Sequence, residues 1–459
     1  MEQQILKINT SQKDFFQSGA TRDVSFRKKT LQKLLIAIQE NEKEICEALF
    51  KDFKKPEFES VVTETFIVIN ELKSVLKNLT RWAKPKSVSP MLLNFPSSDA
   101  IYYQPYGTVL IIAPFNYPFQ LALLPLIGAV AAGNTAVLKP SEHTPHVSDL
   151  IKKIVRQVFI PQHVSLIEGG VACSQELLKN TWDYIFFTGS VAVGKIVAKA
   201  AAEYLTPITL ELGGKSPCIV DDTAKIPLAA RRIVFGKFVN AGQTCIAPDY
   251  ILVQKNVKQK LVNALIAEIE RFYGKNPKDS PDLARIINYK NWQRLCGYLQ
   301  GQKLAYGGQS DAETLYHSPT LVDEPPMDSV VMQEEIFGPI LPVLSYENRE
   351  DIKKVISKNP NPLSLYLFSE NKKFSEKIIR EFSFGGGTVN DTLVHFANPR
   401  LPFGGIGNSG MGNYSGKFSF ETFSHKKSVV KRGTWIDLKI RYAPYSGKIK
   451  RLKQLLKWV

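Results

Sequence analysis

Three side chains suggest acyl chemistry when taken together. Cys245 lies in Gly242-Gln243-Thr244-Cys245-Ile246-Ala247-Pro248, a polar loop preceded by a helical stretch, where a thiol can be an accessible nucleophile. Cys218 and Cys296 sit among apolar neighbours and read as packing residues. Glu211 closes the apolar run ITLEL, and Asn116 comes just after the apolar run VLIIA. Two of them have a plainer explanation. Taken alone, Cys245 is as consistent with packing as with reactivity, and Glu211 with a buried, hydrogen-bonded acid at a strand end.

A second group suits a nucleotide. Phe187-Thr188-Gly189-Ser190-Val191-Ala192-Val193-Gly194 is a small-residue turn opening a helix, whose free N–H groups and dipole suit a pyrophosphate, with the Ser190 hydroxyl as a further contact. It is not G-x-G-x-x-G, and tight packing explains such a turn equally well. Lys139-Pro140-Ser141-Glu142 places an ammonium, a hydroxyl and a carboxylate where an adenosine ribose can be held, or else forms a solvated turn and helix cap. Glu142 would accept from ribose hydroxyls and repel a 2′-phosphate, which favours NAD over NADP.

The elements that must position these residues follow from hydropathy. Short apolar runs at 109–113, 135–139, 164–168, 184–188 and 208–212 alternate with helical stretches, the rhythm of a parallel, doubly wound sheet. Ligands of such sheets bind beyond the carboxyl ends of the strands, where the polar residues above stand. A second α/β pattern follows Gly213, with a helix around 228–240, a strand at 250–254 and a helix over 257–273. Upstream, Leu31, Leu34, Leu35, Ile38, Ile45 and Leu49 recur at helical spacing and predict amphipathic helices.

Composition narrows the classes. The chain has 459 residues, 44% hydrophobic, enough for two sizeable cores. Its five scattered cysteines form no C-x-x-C and no cluster with histidine, which points to a reducing, cytoplasmic setting, no metal site and no disulfide framework. The N-terminus lacks the pattern of a secretory signal. Residues 107–138 carry no charge, yet Pro114, Asn116, Pro118, Gln120, Pro125 and Asn134 interrupt them, so a buried strand, helix, strand unit fits better than a membrane span. The net charge of +16 is concentrated after residue 425, where eleven Lys/Arg meet one acid, Asp437. No nucleic-acid motif accompanies it, and no nucleic-acid partner is expected.

Six ordered motifs carry a family resemblance: APFNYP at 113–118, FTGS at 187–190, LELGGKSP at 210–217, GQTC at 242–245, EEIFGP at 334–339 and PFGG at 402–405. From about residue 20 to 430 the sequence resembles the aldehyde dehydrogenase superfamily, in its class-three or fatty-aldehyde branch. The resemblance implies NAD(P)-dependent oxidation of an aldehyde to a carboxylic acid. Cys245 would be the nucleophile, forming a thiohemiacetal and then a thioester. The Asn116 amide and the Cys245 main-chain N–H would stabilise the oxyanion. Glu211 would be the general base for the hydrolytic water, and an acid there favours release of a free acid over transfer to coenzyme A. Lys139 and Glu142 would hold the adenosine ribose, Ser190 with Gly189 and Gly194 the pyrophosphate turn, and Glu335 and Phe337 the nicotinamide ribose and ring.

The resemblance also implies an architecture of two doubly wound α/β domains and a small β arm. Residues 1–82 and 104–211 would bind NAD(P), residues 212–396 would carry the catalytic cysteine, and residues 83–103 with 397–430 would form an oligomerisation arm, implying at least a homodimer. The substrate funnel would be lined by Tyr117 and the loop 392–396, with His395 and Phe396, whose apolar character suits medium or long-chain aliphatic or aromatic aldehydes. Residues 431–459 form a basic tail. Within it Ile449, Leu452, Leu455, Leu456 and Val459 fall at helical spacing among Lys and Arg, with Trp458 near the end, a pattern for peripheral membrane contact or for docking over a partner subunit's substrate entrance. Two readings of another class compete: a catalytically idle scaffold on this fold, and a membrane-surface interaction module. An idle scaffold would be expected to lack one of Asn116, Glu211 or Cys245, and all three are present.

Overall fold

A computed structural model describes residues 2–91, 94–437 and 439–455. A six-stranded sheet runs in the order Gly410–Met411, Ile208–Glu211, Tyr184–Thr188, Thr108–Ile112, Thr135–Lys139, Val164–Leu166, parallel throughout except for the first. Its strands are buried on both faces, which is why they read as continuous apolar runs. The chain winds outward from Thr108–Ile112 and returns on its other side as Tyr184–Thr188. Strand order therefore reverses between these two, and a crevice opens at their carboxyl ends.

The uncharged stretch is a strand, helix, strand unit as expected. Pro118–Ala132 is a helix with every residue buried, started by Pro118 and stopped by Gly133 at φ 99°. It packs against Phe66–Trp82 and Val24–Glu40; the latter buries Leu31, Leu34, Leu35 and Ile38, and the following helix Glu42–Phe53 buries Ile45 and Leu49. No helix among the described residues is long and apolar enough to cross a membrane.

A second, seven-stranded sheet runs Leu304–Tyr306, Thr320–Asp323, Ile340–Tyr346, Tyr250–Gln254, Pro217–Val220, Ser364–Phe368, Gly386–Val389, with only the first antiparallel. The predicted helices flank it as Ile226–Phe238 and Lys258–Tyr273. Separate from both, Lys86–Val88, Ser97–Pro105 and Ser424–Arg432 form an antiparallel three-stranded sheet. Within 397–430, residues 403–414 return to the first sheet: Gly410 pairs with Glu211, and Phe403 bridges Tyr414. Ile449–Leu455 is helical, with Ile449 exposed; Leu456, Lys457, Trp458 and Val459 of the amphipathic pattern lie outside the described residues.

Candidate active site

The catalytic cysteine of the sequence reading sits on a turn that is conformationally demanding. The helix Ile226–Phe238 ends, and Asn240, Ala241 and Gly242 take φ of 57°, 52° and 74° in succession. A Cβ on Gly242 would lie 2.3 Å from the main-chain oxygen of Gly338, so this position needs glycine for both space and φ. Gln243 secures the turn: its Nε2 donates to the carbonyls of Asn240 (3.1 Å) and Arg285 (3.0 Å), and its Oε1 accepts from Ile287 N–H (3.0 Å). Cys245 follows, half-buried, at a point where two cavities meet.

One cavity, of about 560 Å³, lies at the topological switch point. It is lined by Asn116 beyond Thr108–Ile112, Lys139 at the end of Thr135–Lys139 and Glu142 beyond it, Gly189 and Ser190 beyond Tyr184–Thr188, Glu211 at the end of Ile208–Glu211, and Glu335 and Phe337 from the opposite side. The sequence-predicted catalytic and cofactor residues are thus brought together with one exception. Gly194 is buried in the following helix, where a Cβ would lie 2.7 Å from a Leu212 methyl carbon; it permits close packing of helix on strand and does not line the cavity.

The cavity fits a dinucleotide. Ser190 caps the thirteen-residue helix Val191–Glu203, accepting from Val193 N–H at 3.4 Å, and that helix directs its N-terminal donors at the crevice. Lys139 and Glu142 pair at 2.6 Å, Lys139 almost wholly buried and Glu142 a third exposed, and the lysine beside it holds the Glu142 carboxyl below its ordinary range. Burial pushes the Glu335 carboxyl up to about 8, with Asp249 adding to the rise. The segment bearing Glu335 is anchored by Lys215, which pairs with Asp249 and donates to the carbonyls of Val331 (2.9 Å) and Glu334 (2.8 Å). Phe337, at φ 49°, meets Phe115 edge-on at 5.7 Å.

The other cavity, of about 270 Å³, is walled mainly by apolar groups, among them Val62, Ile67, Leu121, Phe235, Leu393 and Phe403. Tyr117 and Phe396 line it as expected. His395 does not: its Nε2 lies 3.2 Å from Ser364 Oγ and its Nδ1 3.3 Å from Thr388 Oγ1, so the ring faces the edge of the second sheet while Leu393, Val394 and Phe396 face the cavity. Burial lowers the His395 pKa to about 4. Tyr117 turns its hydroxyl to Thr244 Oγ1 at 2.6 Å, beside the cysteine.

Four residues line both cavities: Thr188, Glu211, Leu212 and Cys245. Glu211 is buried, and neither carboxylate oxygen has a hydrogen-bond partner among the described residues, which drives its pKa well above the ordinary carboxylate value. The plainer reading of Glu211 as a hydrogen-bonded strand-end acid therefore fails. Burial also pushes the Cys245 thiol up to about 12, with the Glu335 and Glu211 charges adding to the rise. Asn116 is 3% exposed and its carbonyl accepts from Asn240 Nδ2 at 2.8 Å, tying the first strand's loop to the cysteine turn.

Sequence reasoning missed Thr188, Leu212, Phe235, Tyr414 and Arg294. The first two lie inside the motifs FTGS and LELGGKSP and were within reach. Arg294 lines the dinucleotide cavity from the helix Tyr289–Tyr298, where no local pattern marks it; it donates to Tyr298 Oη at 2.7 Å.

Comparison with known proteins points to one family. A family model described as the aldehyde dehydrogenase family matches residues 2–429. The chain is 51% identical to 4,4′-diaponeurosporen-aldehyde dehydrogenase of Staphylococcus aureus, over 97% of each chain. It is 44% identical to the dimeric NADP-preferring aldehyde dehydrogenase of Canis lupus familiaris, over 95% of this chain and 97% of that one. Among solved structures, Staphylococcus aureus AldH in a substrate-bound state superposes with a TM-score of 0.96 at 50% identity, covering 98% of this chain and 99% of the other.

Proposed function

The chain belongs to the aldehyde dehydrogenase family and oxidises aldehydes with NAD or NADP, and we propose that it does so through a thioester on Cys245 that Glu211-activated water hydrolyses. The observation that carries this reading is the position of both residues at the junction of the apolar and dinucleotide cavities. An aldehyde in the apolar cavity presents its carbonyl carbon to the thiol, while its substituent stays among apolar side chains. The Asn116 amide and the Cys245 main-chain N–H receive the oxyanion of the resulting thiohemiacetal. NAD or NADP, when bound, supplies the two-electron acceptor. Lys139 and Glu142 hold its adenosine end, Gly189 and Ser190 its phosphates, and Glu335 and Phe337 its nicotinamide end. Glu211, buried and with no hydrogen-bond partner for its carboxylate among the described residues, then takes the proton from the water that attacks the thioester. The apolar wall supports aliphatic and aromatic substrates of medium or greater length over small polar ones.

Turnover is tested by formation of reduced cofactor with NAD or NADP across aldehydes of increasing chain length. Turnover that rises with hydrophobicity and vanishes in Cys245→Ala supports the reading; equal turnover in Cys245→Ala overturns it. A homodimer in the cytoplasm is proposed alongside, supported by the dimeric relatives and by the three-stranded sheet, whose outer strand Ser424–Arg432 has one edge unpaired among the described residues. Its basic tail is proposed to lie on anionic membrane surfaces. Liposome co-sedimentation that is unchanged on truncation at Ser446 would remove the membrane role.

A further inference from the structure

Behind the catalytic turn lies a group of ionisable side chains that the chemistry above does not use. The helix Glu42–Phe53 stops at Lys54, which takes φ 57°, and the next residue, Lys55, is completely buried. The chain resumes as Glu57–Ser60, widens into a π-turn over Val61–Thr65 and continues as Phe66–Trp82. A π-turn closes i→i+5 hydrogen bonds in place of i→i+4, which changes the face from which the side chains in and after it emerge, Glu64 among them.

The side chains of Lys55, Glu59 and Glu64 reach both halves of the active site. Lys55 Nζ pairs with Glu64 Oε1 at 2.9 Å, both fully buried. The other oxygen of Glu64 accepts from Phe119 N–H (3.1 Å) and Gln120 N–H (2.8 Å), the first turn of the helix that follows Asn116. Glu59 Oε2 accepts from Asn240 N–H at 2.9 Å, and Asn240 Nδ2 donates to the carbonyls of Asn116 (2.8 Å) and Gln243 (3.2 Å). Lys55 Nζ also lies 4.1 Å from the centre of the Tyr117 ring, whose hydroxyl holds Thr244. A buried ion pair adds little net stability over an apolar replacement, but it fixes direction. Here the directions converge on the Asn116 loop and the left-handed turn before Cys245.

We propose that Glu59, on a segment fixed by the Lys55–Glu64 pair, is a positioning residue that sets the Asn116 amide against Cys245 by holding Asn240. The proposal rests on the reading of Cys245 and Asn116 given above. It touches neither the aldehyde nor the cofactor; it acts through the turn. Misplacement of reacting groups by about 1 Å costs on the order of a hundredfold in rate. Loss of the Glu59 acceptor should therefore appear in kcat per active site, with the KM for aldehyde and for cofactor little changed.

The test compares Glu59→Ala, Glu59→Gln and Asn240→Gly with wild type and with Cys245→Ala. Active sites are counted by the burst of reduced cofactor. Glu59→Gln keeps an oxygen that can accept from Asn240 N–H, and Asn240→Gly keeps the left-handed backbone while removing the link to Asn116. The expected result is a fall in kcat per site of roughly ten- to a hundredfold in Glu59→Ala and Asn240→Gly, with recovery of most of that loss in Glu59→Gln. Unchanged kcat per site in both deleting variants overturns the proposal, as does a loss confined to the number of active sites, which is what a merely structural role produces. Activity surviving in Cys245→Ala would instead overturn the underlying mechanism.

Discussion

Ionisation of an unpartnered buried carboxyl group opposes folding, and Glu211 is such a group. Its pKa in the folded protein stands above that of the unfolded chain, so the folded state holds the proton more tightly. That contribution is complete below the ordinary carboxylate range and is lost as pH rises toward the raised value. Glu211→Gln should therefore raise the melting temperature at mildly alkaline pH while leaving it nearly unchanged in acid, and should lower turnover by ~10² to 10⁴. Calorimetry and steady-state rates on the same preparation check both; lower stability in alkali with full activity would contradict the assignment. The thiol and the carboxyl both act in their ionised forms, and both are pushed up, Cys245 to about 12. kcat/KM should accordingly climb with pH into the alkaline range, and a profile peaking in acid would contradict these roles. Cys245, Glu211 and Asn116 stood out in the sequence through the motifs GQTC, LELGGKSP and APFNYP, since local pattern alone left Cys245 and Glu211 open to plainer readings. His395 was not legible, because the loop 392–396 has no period to say which side chains face inward.

At the scale of elements, the turn from Val239 to Cys245 decides whether a thiol on this fold reaches the cavities. Gly242→Ala places a methyl 2.3 Å from the Gly338 carbonyl oxygen and forces alanine to φ 74°. The expected cost exceeds about 1 kcal/mol, read from the denaturant midpoint, with turnover lost although every chemical group remains. Wild-type stability and rate in that variant would mean the turn is less constrained than its geometry implies. Five of the six strands of the first sheet were legible as apolar runs, 135–139 and 184–188 to the residue. Of the second sheet's seven strands only 250–254 was, because that sheet as a whole lacks the regular alternation of apolar runs with helical stretches that marks the first. The strand at 164 ends at Leu166, two residues earlier than the run suggests. The π-turn at Val61–Thr65 left no trace in the sequence, because its hydrogen-bond pattern is set by the buried partners of Glu64 and by no local propensity.

Across the whole molecule, two sheets present their strand ends to one cleft, and residues from Lys55 to Tyr414 contribute to it or brace it. A ligand that binds only the folded state stabilises it by mass action. NAD or NADP at a hundred times its dissociation constant should therefore add about 2.7 kcal/mol, visible as a rise in melting temperature that Lys139→Met diminishes. No shift with either cofactor would contradict the assignment of the larger cavity. The basic tail was legible as a charge pattern but not as a contact, because helical spacing alone does not name what a helix packs against. The central claim is that an acyl group passes through Cys245, and it is tested most directly by intact-peptide mass spectrometry after acid quench of Glu211→Gln turning over an aliphatic aldehyde with NAD. The account predicts a mass gain equal to the acyl group on the peptide containing Cys245, and none once Cys245 is also replaced by alanine. An adduct on another residue, or none while reduced cofactor still forms, would contradict it.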